Sequence, residues 1–430
     1  MILSKNERLV MHIPIPLFDQ PQYLNEPLHP SLKSHLMDTG IDSIEHEFEL
    51  CKSFLLNYRS SPDTYNAYRR EIERLCQWAW WVNQSSLCSL TRNHILNYID
   101  FITRPPTHWI ATQSSPRFTA DITGRIPNSK WRPFLVRPKK IDLKKGHTQT
   151  HVANYTMTDS TLRSLFAGIS TFFTYLQQEQ MIHHHPVQSI RQKSRFFKKT
   201  QVKRISRTLS PLQWSTILRC TQQHATLHPH FNRHRFILSM FYLLGLRISE
   251  LVPTHRHTPV MGDFFKDQHH LWWFTTIGKG YKEREIAVPD ELLRELIQYR
   301  TYLGLSTRLP TRGESTPLLP KIKGQGSIGL RQLRKMVQAS FDLAIEHLSH
   351  HASIDEADEL SVATTHWLRH TAISVDVQHR PRTHVRDDVG HENIAITDLY
   401  VDIDRVARHQ SAQHKSLMPQ DSTCIDDADE

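Results

Sequence analysis

Six residues in the second half of the sequence are of the types that phosphoryl transfer uses: two arginines, a lysine, two histidines and a tyrosine. Arg247 follows the apolar run Phe236 to Leu246, so its guanidinium emerges from a hydrophobic element beside the turn residue Gly245. Glu250, three residues on, can pair with it and fix its orientation. Taken alone, that segment reads better as a structural ion pair at a helix end. Lys279 sits between Gly278 and Gly280 at the tip of two β-rich runs, LWWFTTI and EREIAV, which predict a hairpin. A lysine there can reach a nucleic-acid groove and protonate a leaving oxygen, although exposed hairpin lysines are common. In THWLRHT, His366 and Arg369 are three residues apart and share a helix face, placing a proton carrier beside a clamp for non-bridging oxygens. His370 points elsewhere and is given a structural role. Finally, Gly390 closes one element, His391 opens the next, and Tyr400 follows nine residues later. A lone tyrosine at that place would be packing, but this one lies downstream of five phosphate-binding groups.

In that order, the segments GLRISEL, GKG, HWLRHT and VGH…Y strongly resemble the catalytic domain of the tyrosine recombinases, the phage integrase family, over about 205–410. The helices around TYNAYRREIERL and TLRSLFAGISTFFTYL are similar, more loosely, to the family's core-binding bundle. The resemblance implies a site-specific recombinase that cuts and rejoins duplex DNA, with Tyr400 as nucleophile forming a 3′-phosphotyrosyl link. It implies Arg247 and Arg369 on the non-bridging oxygens, Lys279 as general acid for the 5′-oxygen, His366 in proton transfer with the tyrosine, and His391 as a hydrogen-bonding group on the phosphate. No metal or nucleotide cofactor is implied. Double-stranded DNA is the expected partner, with self-assembly as a tetramer on two sites and accessory proteins as further partners. One departure is the stretch VDVQHRPRTHVRDDVGH, which lacks the small, Gly-containing turn often found there and brings Asp387 and Asp388 near the site.

The elements that must position these residues are mainly helices with a small β-sheet, an α+β fold. Residues 1–43, rich in Pro and His without periodicity, form an N-terminal extension. A helical core-binding domain is expected over 44–190. Its first strong helix starts at Ser61 and Pro62 and carries Tyr65, Tyr68, Ile72, Leu75 and Ala79 on one stripe. Arg69 and Arg70 lie off the stripe and are expected to face DNA, a solvated face being the competing reading. Within this domain, a basic, Pro-rich insertion covers 104–150. Between Arg104 and Lys145 it has six prolines and ten Lys or Arg against two acids, with Trp109, Trp131 and Phe134 hinting at order. A second long helix starts at Asp159, its apolar residues from Leu162 to Leu176 suited to a bundle interior.

The linker 191–207 carries eight basic residues and no acid. Such a run repels itself when left alone, so Lys193, Lys198, Lys199 and Lys203 are expected against phosphates. The catalytic domain follows at 208–410, and an acidic tail at 411–430 is read as disordered.

The 430 residues suffice for two or three domains, and the balance of 53 basic to 43 acidic residues favours an anionic partner. Five cysteines without a CxxC pair indicate neither a disulfide framework nor a zinc ribbon and fit a reducing cytoplasm, at the nucleoid for a DNA enzyme. No segment approaches the roughly 20 apolar residues of a membrane span. The histidine patches at His347, His350 and His351 and at His183 to His185 lack a closed ligand set, so no metal is expected. Two rival readings are a type IB topoisomerase and a non-catalytic DNA-binding regulator on the same fold. The separate bundle and basic linker argue against the first, and the intact tyrosine and arginines against the second.

Overall fold

Apolar residues at helical spacing become helices in both halves of the chain, and the protein is mainly helical with small sheets. The computed structural model describes residues 12–122, 124–136, 151–188, 190, 207–351, 353–394 and 397. The chain divides into two units, Met1–Lys203 and Arg204–Glu430. The expectations for Lys193, Lys198, Lys199 and Lys203, for Tyr400 and for the acidic tail fall outside the described residues.

The first unit contains α1 (Pro30–Met37), α2 (Ile44–Leu56), α3 (Pro62–Gln77), α4 (Arg92–Thr103) and α5 (Asp159–Gln178). Helix α3 is its axis. Its second half is buried on nearly every side, and it runs on into a π-helical turn, Trp78–Val82, whose three tryptophans are all buried. The stripe expected on α5 is the observed one, with Leu162, Leu165, Phe166, Ile169, Phe172, Phe173 and Leu176 in the core.

Residues 12–29, within the N-terminal extension, are held as a strap on this core. Leu17 and Phe18 are buried, and their amides donate to Glu73 Oε1 at 2.7 and 3.3 Å. Gln77 donates to the Ile15 carbonyl at 2.5 Å, and the Tyr65 hydroxyl to that of Asp19 at 2.5 Å.

The described part of the insertion is also ordered. It forms a short parallel pair, β1 (Ile110–Ala111) with β4 (Phe134–Leu135), and a hairpin, β2 (Phe118–Asp121) with β3 (Gly124–Pro127). Trp109, Phe118 and Phe134 join the core. Two of its arginines are spent inside the unit: Arg125 forks onto Asp19 at 2.6 and 2.8 Å, and Arg117 pairs with Glu73 while covering the Trp131 ring. Glu73 is fully buried and serves the strap and the insertion at once. Removing one partner of a buried pair strands the other charge, so Glu73→Ala is expected to cost about 3–5 kcal/mol of stability. A denaturant midpoint equal to that of the wild type would show that the strap is dispensable.

The second unit begins with a capping box, in which Ser210 Oγ accepts from the Gln213 amide at 3.1 Å and Gln213 Oε1 from the Ser210 amide at 3.0 Å. It starts α6 (Pro211–Leu227), and α7 (Phe231–Leu244) follows, apolar on most of its surface and therefore central. The expected strand pair is present as β6 (Trp272–Ile277) and β7 (Glu283–Ala287), with a third antiparallel strand, β5 (Phe264–Lys266), on the far edge of β6. Helices α8 (Asp290–Tyr302), α9 (Leu330–His350), α10 (Ile354–Val362), α11 (Thr365–His379) and α12 (Arg382–Val389) complete the unit.

Helices α7 and α12 both end in a glycine in the left-handed region, Gly245 at φ +56° and Gly390 at φ +64°. That conformation turns the chain sharply at low steric cost and leaves the last carbonyls of each helix without helical partners. Among the described residues no helix is long and apolar enough to cross a membrane.

Candidate active site

The freed carbonyls at these two helix ends are where the arginines converge. Arg369, buried on α11, donates from Nη1 to the Gly245 carbonyl at 2.5 Å and from Nη2 to that of Val389 at 2.8 Å. Arg247 lies two residues beyond Gly245 and donates from Nη2 to the Gly390 carbonyl at 3.4 Å. Because a helix C-terminus carries partial negative charge, it offsets the guanidinium charges gathered there. The side chain of Arg247 stays 31% exposed, so this cation is presented to solvent.

Glu250 is bonded to Arg247 in two ways, from the amide at 2.7 Å and from Nη1 at 3.1 Å. Burial alone would push its carboxyl up, but hydrogen bonds from Arg284 and the charges of Arg284 and Arg247 outweigh burial and hold it below the ordinary carboxylate value. His391 is buried, with Nε2 3.5 Å from Arg369 Nη2 and Nδ1 2.9 Å from Thr397 Oγ1. Burial first, then the charges of Arg369, Arg247 and Arg284, push it down to about 4, so the ring is neutral at pH 7. The site thus presents a neutral imidazole beside two guanidiniums.

Arg247, Glu250, Arg369 and His391 are therefore brought together. His366 stands at the rim, exposed on the first turn of α11, its ring 4.5 Å from that of His370. Partial burial, followed by the charges of Arg369, Arg207 and Arg247, holds it below its ordinary value. Lys279 is placed by its backbone only: it opens the hairpin tip, which returns through Gly280 at φ +76°. The preceding residue, Gly278, lies against the arginines. A Cβ there would sit 2.9 Å from Arg284 Nη1 and 3.6 Å from Arg247 Nη1, so only glycine lets the hairpin come this close. Tyr400 lies outside the described residues.

The acids before His391 do not face the site uncompensated. Asp388 pairs with Arg380, which also reaches Asp376 at 3.3 Å, and Asp387 pairs with Arg386. In the first unit, Arg69 departs from the expectation of a DNA-facing side chain. It is 9% exposed, donates to Asn66 Oδ1 at 2.6 Å and packs on the Tyr65 ring. Arg70 does stand on the surface, paired with Glu71.

Two residues of the site were not anticipated. Thr397 gave no sequence signal. Arg284 did: in EREIA the inward strand positions hold Arg284 and Ile286, and an inward arginine demands a buried carboxylate partner.

A family model described as the phage integrase family matches residues 195–406. The tyrosine recombinase XerD of Proteus mirabilis is 27% identical over 243 residues, a match that covers 56% of this chain and 66% of the relative. The tyrosine recombinase XerC of Thermodesulfovibrio yellowstonii is 25% identical over 288 residues, covering 65% of this chain and 80% of the relative. Among solved structures, the XerH site-specific recombinase bound to palindromic difH substrate, a post-cleavage complex, matches with a TM-score of 0.52. That match covers 93% of this chain and 95% of the other at 12% identity, which shows a shared fold. With arginines, histidine and hairpin gathered in the matched segment, residues 195–406 form a domain of the phage integrase family.

Proposed function

We propose that this protein cuts and rejoins duplex DNA at a specific site through a 3′-phosphotyrosyl intermediate on Tyr400. The observation that carries the reading is the convergence of Arg247, Arg369 and His391 on two helix ends, beside the base of the hairpin that bears Lys279. Two guanidiniums suit the non-bridging oxygens of one phosphodiester and the charge that grows on them as phosphorus becomes five-coordinate. In the reaction, the Tyr400 oxygen bonds to phosphorus as the P–O5′ bond breaks. His366, neutral at pH 7, takes the phenolic proton, Lys279 gives one to the departing 5′-oxygen, and His391 hydrogen-bonds the phosphate. The phosphotyrosine conserves the bond, so the 5′-hydroxyl of another strand can reverse the step.

Exchange between two duplexes breaks four strands, which calls for four active sites and hence a tetramer on two DNA sites. We assign residues 44–190, together with the strap and first helix from residue 12 that share their core, to the core-binding domain, 191–207 to a linker on phosphates, and 208–410 to catalysis. The biological outcome is integration, excision or resolution of a mobile element, in the cytoplasm at the nucleoid, with accessory proteins as further partners.

The test is a suicide duplex carrying the site selected by binding from the DNA that flanks the gene. The wild-type protein is expected to form a covalent complex that survives detergent, with the adduct mapped by mass spectrometry to the peptide containing Tyr400. A bound but uncleaved duplex, or an adduct on another residue, overturns the proposal.

A further inference from the structure

We propose that Arg284 is a positioning residue of this active site: from strand β7 it fixes Glu250, and through it Arg247, in register with the helix end that carries His391. The inference rests on the reading of the site given above.

All three nitrogens of the Arg284 guanidinium are engaged inside the protein. Nη1 donates to Glu250 Oε1 at 2.9 Å and Nη2 to Glu250 Oε2 at 2.8 Å, while Nε donates to the Asp388 carbonyl at 2.8 Å. A planar guanidinium meeting a carboxylate on both oxygens permits little sliding or rotation. The side chain is 6% exposed against 31% for Arg247, so the two share one carboxylate but divide the work. Arg247 faces solvent, where a substrate would lie, and Arg284 faces the frame.

Space for this side chain is made by two glycines. A Cβ on Gly278 would lie 2.9 Å from Nη1, and one on Gly390 would lie 3.1 Å from Cδ. Arg284 therefore passes between the base of the hairpin and the turn before His391, touching both. Three segments, 247–250, 278–284 and 388–391, are thereby tied at one point. They carry Arg247, Lys279 and His391. Release of that tie leaves the positions of all three to weaker contacts, and a displacement of about 1 Å at a reacting centre costs on the order of 100-fold in rate.

The tie also sets the charge of Glu250. The groups facing this carboxylate are Arg247 from its own turn and Arg284 from β7, with His391 beyond Arg284. With Arg284 gone, its hydrogen bonds and charge no longer oppose burial and the carboxyl rises from its present value, so it becomes protonated at a higher pH and Arg247 loses its ionic partner as the pH falls.

The experiment measures the single-turnover rate of covalent-complex formation on the suicide duplex from pH 5 to 9 at saturating protein. Arg284→Lys keeps a charge but cannot span both Glu250 oxygens and the Asp388 carbonyl. It is expected to react ~10- to 100-fold more slowly while binding the duplex within about threefold of the wild type. Arg284→Met is expected to add a falling limb on the acid side, which Arg284→Met/Glu250→Gln removes by taking away the titrating group. If Arg284→Met does not fold, the Lys variant decides by its rate. Wild-type rates in the Lys variant overturn the inference, as does a slow Met variant with an unchanged pH profile. Failure of the wild-type protein to react would instead overturn the recombinase reading.

Discussion

Tyr400→Phe is expected to form no covalent complex on a suicide duplex that traps the wild-type protein, while binding that duplex with affinity within about threefold of wild type. In the proposed reaction the phenolic oxygen is the atom that bonds to phosphorus, and a phenyl ring offers no electron pair in its place. A tyrosine at the end of a domain would otherwise be unremarkable packing. Its standing comes from the convergence of Arg247, Arg369 and His391 upstream in the same unit. The variant therefore separates binding from chemistry: gel-shift affinity reports the first and detergent-stable adduct the second. Equal adduct from the Phe variant would remove Tyr400 from the mechanism and leave the phosphate site in search of another nucleophile.

Arg369→Ala is expected to slow covalent-complex formation by ~100- to 1000-fold, the effect of deleting a preorganised donor aimed at developing charge. The structure adds a second loss. Arg369 bridges the end of α7 at the Gly245 carbonyl to the end of α12 at the Val389 carbonyl, and it is 3% exposed. Truncation strands two buried acceptors, each worth about 1–3 kcal/mol when left unpaired. The variant should thus be both slow and less stable, and the two losses are separable. Arg369→Lys restores charge, yet one ammonium lacks the spread of the guanidinium, so most of the rate loss should persist in it. Single-turnover rates near those of the wild type in both variants would exclude Arg369 from the reaction centre.

Arg247, Arg369 and His391, which the structure brings together, were legible in the sequence through the order of the motifs GLRISEL, HWLRHT and VGH. Taken singly, the arginine leaving an apolar helix at Gly245 reads as a structural ion pair, and only its company of phosphate-binding types downstream gives it a chemical reading. The two long helices of the first unit were legible because their apolar residues keep a helical period. What was hidden has physical reasons. The strap at 12–29 is extended and held through its backbone to Glu73 and Gln77, so it leaves no periodic pattern. The insertion looked basic and loose because its arginines were counted without their partners. Arg117 and Arg125 find Glu73 and Asp19, which are distant in sequence. Arg69 looked like a surface residue for the opposite reason: the far side of α3 is covered by elements that its own periodicity cannot reveal. Arg284 sat in plain view as a charged residue in a short strand, and only its partner gives it meaning.

The reliance of the site on main-chain atoms has a consequence for how the sequence can drift. The segment before His391 contributes the carbonyls of Asp388, Val389 and Gly390 to Arg284, Arg369 and Arg247. Every residue type has a carbonyl. The acidic side chains that set this stretch apart from its family are directed to Arg380 and Arg386 instead. Selection on the chemistry therefore constrains the path of the chain through 388–390 far more than its spelling, glycine at 390 excepted. An unfamiliar sequence there is compatible with an intact phosphate-binding centre.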